Sequence, residues 1–171
     1  MPCPAIRWVG EGRIALRSFV FESDADAVCS FQSDTYHLNF PDFQYTAAFA
    51  DAFRYDLRRA TLDPNHGIFV LDDGQPMPGK KFSNIAGFLW LVIAQNNWSG
   101  ERYGYVNNLY IVPERRGQGF GRELMKQSDE FFRSRGIRRV RLTVTQSNEA
   151  AVALYRASGY DVQRWEMEKE L

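Results

Sequence analysis

Residues 113–122, Pro-Glu-Arg-Arg-Gly-Gln-Gly-Phe-Gly-Arg, join an apolar run, Leu109-Tyr110-Ile111-Val112, to an amphipathic one, and they hold three glycines and three arginines. A strand ending at Val112 and a helix beginning near Gly119 leave the first N–H groups of that helix without intrahelical partners and aimed outward. Gly117, Gly119 and Gly121 admit unusual dihedrals and let a ligand approach the backbone, because no Cβ intervenes. The arginines add charge and bidentate donors suited to phosphate oxygens. The junction therefore reads as strand, anion cradle, helix. Two better-known phosphate loops do not fit. The Walker pattern needs Gly-Lys followed by Ser or Thr, and the dinucleotide pattern needs glycine where Arg122 stands.

The segment C-terminal to the loop keeps this order. Phe120, Leu124, Ser128 and Phe131, with Met125 and Phe132 alongside, recur at helical spacing, while Arg122, Glu123, Lys126, Gln127, Asp129 and Glu130 fill the other positions. Gly136-Ile137 is a helix stop, since glycine accepts the left-handed conformation and the isoleucine packs back on the last turn. Val140, Leu142 and Val144 alternate with polar residues, which predicts a strand over 140–145. Strand, helix and strand make a βαβ unit. Ser147 or Asn148 then caps a short alanine-rich helix that Gly159 ends.

Arg116, Gly119 and Gly121 spell Arg-x-x-Gly-x-Gly after an apolar strand and Pro113. This resembles the pyrophosphate-binding motif of the GCN5-related N-acetyltransferase superfamily, whose members bind acetyl-coenzyme A. A second signature of that superfamily is an asparagine at a helix start, a tyrosine seven residues later, then glycine and an aromatic. Asn148, Tyr155, Gly159 and Tyr160 match it. The resemblance is concentrated in residues 85–165. It implies an α/β fold with a mixed, mostly antiparallel central sheet flanked by helices, splaying after the fourth strand to admit the cofactor. It also implies one N-acetyltransferase domain over residues 1–171, a reading compatible with a length that suits one substantial core.

The charge is balanced, with 21 basic and 21 acidic side chains, so no global field draws the chain to nucleic acid or to an anionic membrane. Basic residues cluster locally at Arg115, Arg116 and Arg122 and again at Arg133, Arg135, Arg138, Arg139 and Arg141. No uninterrupted apolar stretch is long enough to span a bilayer and the N-terminus lacks the order of a secretory signal, so a cytoplasmic protein is expected. Cys3, Cys29, His37 and His66 have no metal-ligand or disulfide spacing, and no metal is expected.

In the N-terminal half, residues 13–19 read as a strand and Ser23 or Asp24 as the cap of a helix running through Ala25, Val28 and Phe31. Residues 67–71 and 85–94 read as strands, the second apolar on both faces and so central; residues 72–81 and 96–100 read as turns. Residues 31–59 are rich in aromatics. The spacing of Phe49, Phe53 and Leu57 predicts ordinary helix core. Tyr36, Phe40, Phe43 and Tyr45 flank Pro41 in an expected loop, where they either join that core or line an acceptor pocket. Trp90 is read as core and Trp98 as a turn anchor.

By resemblance, the backbone around Leu109, Ile111 and Val112 pairs with the pantetheine arm. The loop Arg116, Gly117, Gln118, Gly119, Phe120, Gly121 and Arg122 holds the pyrophosphate. Asn148 hydrogen-bonds the pantetheine, or serves only as a helix cap. Tyr155 protonates the departing sulfur; a phenol suits this because its reference pKa of about 10 keeps it protonated at neutral pH. The implied reaction is acetyl transfer from acetyl-CoA to a primary amine of a small molecule, a protein N-terminus or a lysine, by direct attack. No acid lies in residues 103–110, where some family members carry a glutamate base. Asn107 and Asn108 could orient a water or the amine, and Glu101, Asp34, Asp42 or His37 could supply the base from nearby loops. A non-catalytic acyl-CoA sensor would keep the loop and Asn148 without needing Tyr155. A nucleotide-phosphate regulator would leave the second signature unused. A homodimer is compatible with any of these readings.

Overall fold

The computed structural model describes residues 7–9, 14–40, 42–74, 84–167 and 169. Its elements run β1 (Arg7–Val9), β2 (Ile14–Ser18), α1 (Phe21–Asn39), α2 (Ala47–Ala60), β3 (His66–Asp72), β4 (Ile85–Gln95), β5 (Arg102–Ile111), a 3-10 turn at Pro113–Arg115, α3 (Phe120–Arg133), β6 (Val140–Arg141) and α4 (Glu149–Ala157). The six strands lie side by side in chain order. Every neighbouring pair is antiparallel except β5 and β6, which are parallel. This is the mixed, mostly antiparallel α/β sheet that the resemblance implies.

β4 is the central strand. Its alternate side chains are buried on both faces, from Ile85 to Leu91, because helices cover the sheet on each side. On one face, fully buried Phe31 of α1 stacks on Phe88 of β4 and Tyr110 of β5, with ring centroids 6.2 and 4.8 Å apart. Truncating a phenylalanine so placed costs about 3–5 kcal/mol. On the other face, Phe131 and Phe132 of α3 press edge to face on each other and lie against Gly67 of β3 and Gly104 of β5. Those two glycines leave the room that the rings occupy.

β5 and β6 pair only where Gly104 meets Val140 and Tyr105 meets Arg141. Beyond that point the two chains part. The strand expected over 140–145 is therefore short: with β5 turning away, residues 142–145 have no ladder to join. The splay opens after the fourth of the strands read from the sequence, which is β5 once the additional strand β1 is counted.

Other differences are local. The helix expected to be capped at Ser23 or Asp24 starts at Phe21, with Val20 as its N-cap. Asp24 instead turns back to accept the Val20 N–H at 2.8 Å and binds Arg17 at 2.7 Å. The guanidinium of Arg17 also reaches Asp72, so this half-buried ion group ties α1 to β2 and β3, and its two carboxylate partners hold the Arg17 pKa above its ordinary value. Trp98 anchors nothing: it is 99% exposed at the tip of the β4–β5 hairpin, where the side chain of Asn96 holds the turn by accepting from Trp98 N and Ser99 N. Cys3, Arg13, Pro41 and residues 75–81 of the expected long turn lie outside the described residues.

Candidate active site

The loop after β5 closes on itself in a way that leaves its donors outward. Gly117 and Gly119 have φ of 75° and 86°, a region open to glycine and strained for other residues. A Cβ at either position meets no protein atom within 4 Å, so the space in front of the loop is clear. Among the described residues, none of the backbone N–H groups from Gly117 to Gly121 has a backbone acceptor; the first intrahelical bonds come from Arg122 and Glu123 to Gly119 O. These donors stand at the positive end of a 14-residue helix. Gly121 plays a different part from the other two glycines. It is helical, and a Cβ there would meet Leu154 of α4 at 3.0 Å, so its smallness sets the approach of α3 to α4.

Of the expected cofactor contacts, Val112 has its backbone bonded within the fold, and Gln118 keeps its N–H open but turns its side chain away. Val112 is buried, donates its N–H to Ala86 O at 2.9 Å and accepts from Arg115 N at 3.0 Å. The Gln118 side chain folds back to Glu114 O at 3.1 Å and does not line the cleft. Leu109, Ile111, Arg116, Gly117, Gly119, Phe120, Gly121 and Arg122 do line it. Arg116 curls toward the strand end, giving its Nε to Ile111 O at 2.9 Å with its guanidinium 5.6 Å from the centre of the Tyr110 ring. Arg115 is held by buried Asp73, which fixes the outer side of the turn.

The gap between β5 and β6 and the arc of α4 complete a cleft of about 1070 Å³. On β5 the register shifts: Tyr105 faces Val92 and Asn108 faces Trp90, so β5 takes three steps where β4 takes two. Such a bulge breaks the alternation of faces. Asn107 and Asn108 consequently both reach the cleft, linked side chain to side chain at 2.7 Å, and Asn108 donates onward to buried Gln32 of α1 at 2.8 Å.

From α4 come Asn148 and Tyr155. Asn148 is the N-cap, its carbonyl oxygen accepting from Ala151 N at 3.2 Å, which leaves its amide N–H₂ toward the cleft. Tyr155 lies two turns along, its ring 6.0 Å from that of Tyr160. Burial alone pushes its phenol up to about 12, with no hydrogen bond or charge contributing. Tyr110 is also pushed up to about 12, first by burial and then by the hydrogen bond it donates to Asp34 at 2.9 Å.

The opposite wall comes from α1 and α2. Tyr36 belongs to α1 rather than to a loop, because the helix runs on to Asn39. Tyr36 and Phe40 line the cleft, whereas Phe43 and Tyr45 stand behind them in the same ring cluster. Phe49 and Phe53 are only partly buried: Phe53 packs against the core beside Trp90, as its spacing predicts, whereas Phe49 joins the ring cluster of Tyr36, Phe43 and Tyr45. On α2 only Leu57 and Ala60 are buried, while Phe49, Ala52, Phe53 and Asp56 make up the face turned to the cleft. Of the acids and histidine considered as base, Glu101 pairs with Arg139, Asp34 holds Tyr110, and neither these nor Asp42 and His37 line the cleft. Asp56 does, and sequence reasoning passed over it. The signal was present, since an acid in register with Phe49 and Phe53 is foreign to a core stripe. Among the described residues no group of three or more His, Cys, Asp and Glu is gathered as for a metal ion, and no helix is long and apolar enough to cross a membrane.

Comparison with known proteins agrees with this geometry. Residues 28–160 match the family described as Acetyltransferase (GNAT) family. The mycothiol acetyltransferase of Amycolatopsis mediterranei is 29% identical over 150 residues, 86% of this chain and 46% of that protein. The thialysine N-epsilon-acetyltransferase of Mus musculus is 33% identical over 85 residues, 49% of each chain. The chain thus spans about half the length of these relatives. In fold it is similar to a crystal structure of a GCN5-related N-acetyltransferase from Ralstonia eutropha, with a TM-score of 0.72, 24% identity, and coverage of 92% of this chain and 98% of that one.

Proposed function

The chain belongs to the Acetyltransferase (GNAT) family, and from that premise we propose that it transfers an acetyl group from acetyl-CoA to a primary amine by direct attack within a ternary complex. The observation that carries this reading is the meeting, in one cleft, of the unpaired loop N–H groups, the gap beside β5, the asparagine pair at the bulge, and Tyr155. The loop from Arg116 to Arg122 takes the pyrophosphate on its backbone donors. Leu109 and Ile111 face the gap where the pantetheine arm extends, and the Asn148 amide donates to that arm. Acetyl-CoA supplies the thioester carbon.

The amine nitrogen attacks that carbon, the C–N bond forms, the C–S bond breaks, and the Tyr155 proton passes to sulfur. A phenol pushed up by burial stays protonated throughout the working pH range, so it is always available as the acid. The pair Asn107 and Asn108 orients the incoming amine or a water that accepts its proton. All of residues 1–171 serve this one domain. Release of free thiol from acetyl-CoA in a panel of primary amines tests the proposal: amine-dependent release supports it. Saturable acetyl-CoA binding with no release for any amine points to an acyl-CoA sensor.

A further inference from the structure

Taking the transfer reading as its basis, we propose that the acceptor is an aromatic primary amine without a free carboxylate, seated between α1 and α2 against the β5 bulge. The cleft is chemically divided. Among the described residues, its cationic lining side chains, Arg115, Arg116 and Arg122, all sit at the loop end, and the α1–α2 end has none. There the only acid on the described lining is Asp56. Carboxylates of α1 have partners of their own: Asp24 binds Arg17, Asp26 binds Arg54, Glu22 binds Arg58, and Asp34 accepts from Tyr110. Asp56 is not among them, so its charge faces the cleft unneutralised by an arginine of the described residues. A ligand that enters this end is drawn in as a cation and disfavoured as an anion.

The surface beside that charge is aromatic. Tyr36 lies 5.5 Å from Phe40 and 4.8 Å from Phe49, centre to centre, and Phe53 meets Trp90 edge to face at 5.8 Å. Trp90 is held by the hydrogen bond from its indole N–H to His66 at 2.9 Å, and its strand partner is Asn108 of the bulge. On this face of α2, Phe49 and Phe53 are only partly buried by those rings and Asp56 is exposed, and Phe40 remains 53% exposed nearby. Flat rings present both edges and faces to a guest ring, and their faces attract an ammonium group. A ring stacked here leaves a short alkyl arm to bring its nitrogen to Asn107 and Asn108. A long flexible lysine or a sugar amine uses little of this surface.

The test compares thiol release at saturating acetyl-CoA for 2-phenylethylamine, n-butylamine, phenylalanine and a lysine-containing peptide. The expected kcat/KM for 2-phenylethylamine is at least about tenfold above each of the others. Asp56→Asn is expected to raise KM for 2-phenylethylamine with kcat nearly kept, and to narrow the preference over phenylalanine. Phe53→Leu, which keeps an apolar side chain on the helix, is expected to narrow the preference over butylamine. Butylamine or the peptide matching 2-phenylethylamine overturns the proposal, as does a preference over phenylalanine that Asp56→Asn leaves intact. Calorimetric binding of acetyl-CoA, run on the same preparations, separates the two levels. Binding with the wrong acceptor preference overturns only the acceptor class, whereas no binding overturns the transfer reading beneath it.

Discussion

Asn148 has two jobs that one substitution separates. Its oxygen caps α4 and its amide nitrogen faces the cleft. Asn148→Asp keeps the cap and loses the donor, so thermal stability should be unchanged while acetyl-CoA affinity falls. Asn148→Ala should lose both, with about 1 kcal/mol of stability going with the cap. Equal affinity in the wild type and the aspartate variant would leave Asn148 as a cap alone. Tyr155→Phe removes only the phenol oxygen. Steady-state kinetics should show kcat reduced on the order of a hundredfold, with acetyl-CoA affinity nearly unchanged. An unaltered rate would remove Tyr155 from the chemistry. Both residues were legible in the sequence because the signature fixes them by spacing along one short helix. Asp56 was marked only as an acid in register with Phe49 and Phe53, because periodicity shows which residues share a face of α2 without revealing what stands opposite it.

At the scale of elements, the segment from β5 through α4 could be read directly. Its strand, loop and helix signals are local, and glycines mark the joints at Gly119, Gly136 and Gly159. The bulge at Asn107 could not be read, because it exists only in the register of β5 against β4, and that register depends on contacts remote in sequence. The length of β6 was missed for the same reason: its residues alternate correctly, but a strand needs a partner and β5 has departed. The fit of α3 to the sheet yields a stability prediction. A Cβ at Gly104 would stand 2.6 Å from the Phe132 ring, and Phe132 is wholly buried with nowhere to move. Gly104→Ala should therefore lower stability by about 1–3 kcal/mol, measured by urea unfolding. A neutral effect would mean that the ring and strand pack less closely than described.

For the whole molecule, three tyrosines govern the alkaline limit, Tyr110 buried and Tyr155 and Tyr160 partly buried against the core. Tyr110, Tyr155 and Tyr160 are each pushed up to about 12, chiefly by burial. In the unfolded chain a tyrosine loses its proton near pH 10. Between about pH 10 and 12 the unfolded state thus binds fewer protons than the folded one, and stability falls as pH rises through that window. The contribution is fully present below pH 10. Melting temperatures taken from pH 8 to 11.5 should hold and then drop, and the drop should be shallower in Tyr155→Phe. A slope identical in the two proteins would contradict the burial of that phenol.

The division of the cleft, arginines and open N–H groups at one end and acid with aromatics at the other, is a property of the assembled molecule that no single stretch of sequence displays. Its cofactor end rests on the loop at Gly119, and calorimetric titration with acetyl-CoA tests it most directly. The wild type should bind saturably, and more weakly once the pyrophosphate is removed from the ligand. Folded Gly119→Val should not bind, because a branched side chain at φ 86° strains the turn and fills the clear space before the donors. Normal binding by that variant, or none by the wild type at millimolar ligand, would contradict the account.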